Sequence, residues 1–174
     1  MIVYRSPHVQ IEEVESTNLR LVFRNPISVP IFTGSKIEDS ENNPLQILLI
    51  DTQNGGNSLA KLPMPVKLQV VVLDGDFASE GHDNWTSSDF DKHIVKERTG
   101  KRPLLTGEFP VILRDGVASI GELNFTDNSS WIRSQHFRIG VRVVLEGYKG
   151  PRIREAITES FRVKDHRGEC KYMS

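Results

Sequence analysis

The residues of this chain most able to do chemistry together are its cations, which fall into short groups. Lys96, Arg98, Lys101 and Arg102 lie within seven residues, and Arg133, His136 and Arg138 follow Trp131. Lys149, Arg152 and Arg154 straddle a turn, and Arg162, Lys164, His166 and Arg167 follow closely on one another. Lys36 adds a single cation in a Gly-Ser-Lys turn. The chemistry open to such groups is anion recognition. Lysine and arginine neutralise phosphates, and an arginine can read a guanine edge in the major groove or enter a narrow minor groove at A·T runs. Each group also has a plainer reading. Lys96 and Arg98 complement the end of a helix, and Arg138 and Arg142 decorate a strand.

Other chemistries lack their residues. The chain has no glycine-rich phosphate loop, no Gly-x-Ser-x-Gly elbow and no His-Glu-x-x-His, and its five histidines are scattered. No catalytic residue is assigned, and neither enzyme activity nor a cofactor is expected. The acidic run Asp74, Asp76, Glu80, His82 and Asp83 fails as a calcium loop, because Ser79 stands where glycine is needed and Trp85 where a bidentate glutamate is needed. No metal site is expected. Asn84, Asn124 and Asn128 open Asn-x-Ser/Thr triplets that read as turn chemistry, since the N-terminal residues lack a signal-peptide apolar stretch and Cys170, the single cysteine, allows no internal disulfide. A reducing compartment is expected. No apolar run reaches the roughly 18 residues of a membrane span, so no membrane partner is expected.

The elements that must position the cations are mostly strands. Leu19, Leu21 and Phe23 alternate with Arg20, Val22 and Arg24 until Pro26. Residues 29–33, 45–50 and 66–73 read as further strands, as do segments near 109–114, 117–125, 135–145 and 157–164. The clearest has Phe137, Ile139, Val141 and Val143 on one face and His136, Arg138, Gly140 and Arg142 on the other. One segment breaks the rhythm. Phe90 and Ile94 are four apart, Thr86 precedes Asp89 by three, and Gly100 and Pro103 follow, which predicts a short helix over about 86–98 with Lys96 and Arg98 in its last turn. Eight or so short strands with one helix predict an all-β, immunoglobulin-like β-sandwich. The division expected is a leader over 1–18, one sandwich domain over 19–169 and a tail over 170–174.

Charge is unevenly distributed along the chain. The formal net charge is −1, yet residues 1–95 carry −6 and residues 96–174 carry +5. That asymmetry predicts an acidic side and a basic side able to meet a polyanion. From residues alone, nucleic-acid binding and protein binding through an edge strand or loop both stay open.

Specific strings go further. PIFTGSKIE (30–38), LDGDF (73–77), DNWTSSDFDKHIVKERTGKRPLLTGE (83–108), FTDNSSWIRS (125–134) and KDHRGE (164–169) resemble the calmodulin-binding protein 60 family of plants, with most likeness to its immune-regulator branch. The resemblance implies a sequence-specific DNA-binding domain of a nuclear transcription regulator. Such a regulator acts as an activator on A/T-containing promoter elements of defence and salicylic-acid synthesis genes. It also implies that calmodulin is bound through regions outside this stretch. The partner expected is double-stranded DNA gripped by loops at one end of the sandwich, with a homodimer as a further state. The contacts expected are Lys96, Arg98, Lys101 and Arg102 first, then Arg133, Lys164, His166 and Arg167, then Lys36. Gln135-His136 stands where the family often has Arg-Lys, which weakens that strand as a phosphate contact.

Overall fold

The computed structural model describes residues 18–53, 58–78, 85–97, 100 and 102–165. Two sheets face each other. The first runs β11 (Ile153–Arg154), β1 (Leu19–Phe23), β3 (Leu45–Asp51), with β4 (Ser58–Leu59) and β8 (Val117–Ile120) sharing the far edge of β3. The second runs β12 (Ala156–Ile157), β10 (Phe137–Val143), β5 (Val66–Asp74), β7 (Val111–Leu113). Their inner faces supply the core. Ile47 and Leu49 of β3 and Phe137, Ile139 and Val141 of β10 are fully buried, as the alternation of residue types predicts.

The chain steps from one sheet to the other at both lateral edges. At one edge, β7 leads into β8 through Asp115-Gly116, both at positive φ (53° and 82°), the pair of left-handed residues a tight two-residue hairpin turn demands. Gly116 is required there twice over, since a Cβ would also strike the Ala60 carbonyl. At the opposite edge, β11 becomes β12 across the single residue Glu155.

A third layer covers the outer face of the second sheet. Helix α1 (Ser87–Lys92) begins with the expected capping box: Thr86 Oγ1 accepts from Asp89 N at 3.0 Å, and the Asp89 carboxylate accepts from Thr86 N at 3.2 Å. Phe90 packs on Gly140, where an added Cβ would lie 2.8 Å from the phenyl ring and 2.7 Å from Leu73. With Phe77, Trp85, Val71 and Leu73 it forms a second apolar cluster. This explains why alternation gives way over Val70–Leu73: that half of β5 is covered on both faces, whereas Lys67 and Gln69 before it are exposed.

The helix is shorter than the sequence predicts. It ends at Lys92, with His93 as its C-cap. Ile94 bridges Leu73, and Val95 N donates to Val72 O at 2.8 Å, so the open edge of β5 captures this β-branched pair before a further turn can form. Gly100 has φ +79° but caps no helix, and Lys96 lies on a sheet flank. Two expected strands are also divided. Segment 117–125 breaks at Glu122 (φ 52°) into β8 and β9 (Asn124–Phe125), and 157–164 divides into β12 and β13 (Val163–Lys164).

Candidate nucleic-acid interface

One end of the sandwich collects long connections. The last residues of β1, β5 and β8 and the first of β3 and β10 meet there, as the pairs Phe23–Ile47, Leu45–Ile120 and Phe137–Asp74 require. Four segments beyond those strand ends are tied together backbone to backbone. β2 (Ile31–Phe32) lies parallel to β13, and the Gly34 N–H donates to Phe125 O of β9 at 2.9 Å. β9 pairs with β6 (Leu105–Thr106), and Thr126 donates its N–H to Leu104 O and its hydroxyl to Pro103 O, at 2.9 and 2.6 Å. A stack of Phe125 on Phe137, centroids 5.4 Å apart, with Phe161 edge-on at 5.7 Å, fastens this layer to the core.

The hydroxyl of Ser129, itself buried, joins two of these segments. It donates to Gln135 O at 2.8 Å and accepts from Val163 N at 2.9 Å. The connection from Thr126 to His136 is thereby held against β13. Gln135 completes the turn at φ +61°, where its N–H reaches Ile132 O at 3.1 Å. A left-handed conformation costs a residue with a Cβ about 1 kcal/mol.

This scaffold carries Arg102, Arg133 and Lys164, each exposed, together with Lys36, whose ammonium lies 3.7 Å from Glu122 in an exposed pair. Arg162, exposed on the approach to β13, adds a cation outside the expected contact set. Lys96 stands apart on the β5 flank. Arg98, Lys101, His166 and Arg167 lie outside the described residues. The end is therefore mixed rather than uniformly basic, since Asp127, Asp165 and the turn Glu38–Glu41 share it.

The division of charge along the sequence is not a division in space. Lys36, from the acidic half, stands among the cations, while Lys149, from the basic half, belongs to the far end, and Arg152 and Arg154 to the lateral edge at Glu155. Within the acidic turn, Asp39 accepts from Asn25 Nδ2, Asn43 N and Glu41 N at 3.1, 3.0 and 2.8 Å, and these bonds hold its carboxyl below the ordinary carboxylate range.

Four other arginines are engaged by the fold. Arg138 donates to Gly75 O and Thr158 O at 3.3 and 2.8 Å, and burial lowers its pKa while Glu159 and Asp76 oppose that shift. Arg142 spans Gln69 and Asp91 at 2.8 and 3.0 Å. Arg152 is buried on Glu155, 3.2 Å away, and Glu155 also accepts from Trp85 Nε1 at 2.8 Å. Arg154 lies over the Trp85 ring, 5.4 Å from its centroid. Asn124 departs from its expected turn role: it sits in β9 and accepts from Thr106 Oγ1, whereas Asn128 does build a turn, accepting from Ser130 N at 3.0 Å.

Among the described residues no group of three or more His, Cys, Asp or Glu could hold a metal ion, and no helix is long and apolar enough to cross a membrane.

The sequence profile of the calmodulin binding protein-like N-terminal domain matches residues 19–166. The chain is 51% identical over 95% of its length to calmodulin-binding protein 60 C of Arabidopsis thaliana and 52% identical over 95% to Protein SAR DEFICIENT 1 of the same plant. It is 40% identical over 92% to calmodulin-binding protein 60 B of Gossypium hirsutum. It spans 26%, 36% and 28% of the lengths of these three relatives.

Proposed function

Because this chain belongs to the family of the calmodulin binding protein-like N-terminal domain, we propose that it is a sequence-specific DNA-binding domain of a plant nuclear transcription regulator. That regulator activates defence and salicylic-acid synthesis genes, and the chain grips double-stranded DNA with the loops at one end of its sandwich. The observation that carries this reading is the gathering of exposed cations on hydrogen-bonded neighbours. Arg102, Arg133, Arg162 and Lys164 make no ion pair with a described residue, and the segments that bear them are fastened to both sheets. Preorganised cations of this kind release counterions on meeting phosphate without first breaking protein contacts. The likeness to Protein SAR DEFICIENT 1 supports the defence role. In this reading calmodulin, for which several relatives are named, binds parts of such proteins outside the matched stretch.

The test is fluorescence anisotropy of the chain with an A/T-containing promoter duplex and a scrambled duplex, across a salt series. The reading expects the scrambled complex to dissolve near physiological salt while the other persists. Equal binding of both would remove sequence specificity, and no binding of either would remove DNA.

A protein-interaction sandwich is the second reading, favoured by the opposite end. There Leu62, Pro63, Met64, Pro65, Val144 and Tyr148 line a groove of about 350 Å³, beside exposed Met64 and Leu145. A partner seated there would leave the cation end free, so the two readings separate by which end protects itself from hydrogen exchange in the complex.

A further inference from the structure

Cations on phosphates position a duplex without reading it, and an arginine in the major groove reads guanine; reading adenine there takes a side chain that offers a donor and an acceptor together. Asparagine and glutamine amides do so, and most of those near this end are already engaged. Asn25 donates to Asp39, Gln46 bonds Arg24, Asn124 accepts from Thr106, and Asn128 accepts twice from Ser130. Asn42 and Asn43 belong to the acidic turn, whose carboxylates repel phosphate. Gln135 differs from all of these. Its amide is exposed and makes no hydrogen bond with a described residue, while its backbone is fixed at both ends, by Ile132 O on its N–H and Ser129 Oγ on its carbonyl.

Its surroundings suit it to that task. Val163 N bonds the same Ser129 hydroxyl, so Gln135 sits beside β13, with Lys164 and Arg162 on either side of Val163 and Arg133 two residues back along its own loop. The backbone at φ +61° would be met without strain by glycine, so a glutamine there is not explained by the turn it makes.

We propose that Gln135 is a base-reading residue, whose amide pairs with the N6 and N7 edge of one adenine in the major groove while Arg133, Arg162 and Lys164 hold the flanking phosphates. The inference rests on the DNA-binding reading above and narrows it to a residue and a base.

The experiment selects a randomised duplex pool on the wild-type chain, then repeats the selection with Gln135→Gly, which removes the amide and suits the local φ. The proposal expects an adenine preference at one position in the wild type that disappears in the variant, with the remaining preferences kept. On the best wild-type duplex the variant should bind about tenfold more weakly, with an unchanged salt slope because no charge is lost. Replacing that adenine by 7-deazaadenine should weaken the wild type to a similar degree and leave Gln135→Gly unaffected. Thermal unfolding of the variant should match or exceed the wild type, which separates reading from folding. An identical preference at every position in both selections overturns the inference while DNA binding stands. Salt-sensitive binding with no enrichment overturns it too, and no binding to any duplex overturns it together with the reading on which it rests.

Discussion

The helix-covered face of the second sheet and the loop-built end of the sandwich use arginine in opposite ways. On the first and along its Glu155 edge, Arg142 is committed to Gln69 and Asp91, Arg152 to Glu155 and Arg154 to the Trp85 ring. At the second, Arg102, Arg133 and Arg162 are exposed and make no ion pair with a described residue. The two sets look alike as residues in a row. They differ in whether an acid or ring within the fold was placed to receive them, and that decides whether a cation is available to an outside anion.

The sharpest way to break this contrast is to remove Glu155. Glu155→Ala takes the carboxylate away from the Arg152 guanidinium and the Trp85 indole N–H inside the protein, and a loss of about 3–5 kcal/mol is expected in urea unfolding. A change under about 1 kcal/mol would mean that Arg152 is as well solvated as Arg133. Next in size is Gly140→Ala. Its methyl meets Phe90 and Leu73 at under 3 Å, so these buried side chains, and the helix that carries Phe90, must give way, at a cost of about 1–3 kcal/mol. Normal stability with intact near-ultraviolet dichroism would show that the helix sits loosely on its sheet.

The open end predicts the reverse balance. Arg133→Ala combined with Lys164→Ala should change stability by no more than about 0.5 kcal/mol, yet lower the slope of log K against log salt for duplex binding by about 2. An unchanged slope in anisotropy would take both cations out of the contact. The smallest effect belongs to Asp39. Its carboxyl titrates lower in the folded chain than in the unfolded one, so the stability it contributes is full above the unfolded value, near 3.8, and fades as pH falls through the folded value. Unfolding followed below about pH 4 should therefore show an acid limb that Asp39→Asn flattens, and equal acid sensitivity of the two proteins would assign that limb elsewhere.

Much of the fold was legible in the residues, for physical reasons that also mark where legibility stops. Phe137 to Val143 announces β10 because one face meets the core, and Thr86 with Asp89 announces the helix start because capping is local. The helix end was not legible. It depends on the free edge of β5 taking the backbone of Val95, a contact more than twenty residues distant in sequence. Of the candidate site, the sequence named Lys36, Arg102, Arg133 and Lys164 but could not say that β2, β6, β9 and β13 would bring them to one end. It also ranked the Lys96 group first, because the family-like KERTGKRPLL string reads as a helix end and the loop after it. Gln135 was noted only as the absence of a charge, since nothing in the sequence signals a left-handed turn pinned by a hydroxyl six residues earlier.

The two crossings of the chain between sheets, at Asp115-Gly116 and at Glu155, have a mechanical meaning. Two layers held only by side-chain packing can slip past each other, whereas these are stitched along both seams by peptide bonds. The loops at the open end descend from both layers, β9 from the first through β8 and β13 from the second through β12. Stitching therefore fixes the spacing of the cations they carry, as the marks on a ruler are fixed. On the DNA-binding reading, a phosphate backbone with its own regular pitch would then be measured rather than merely attracted.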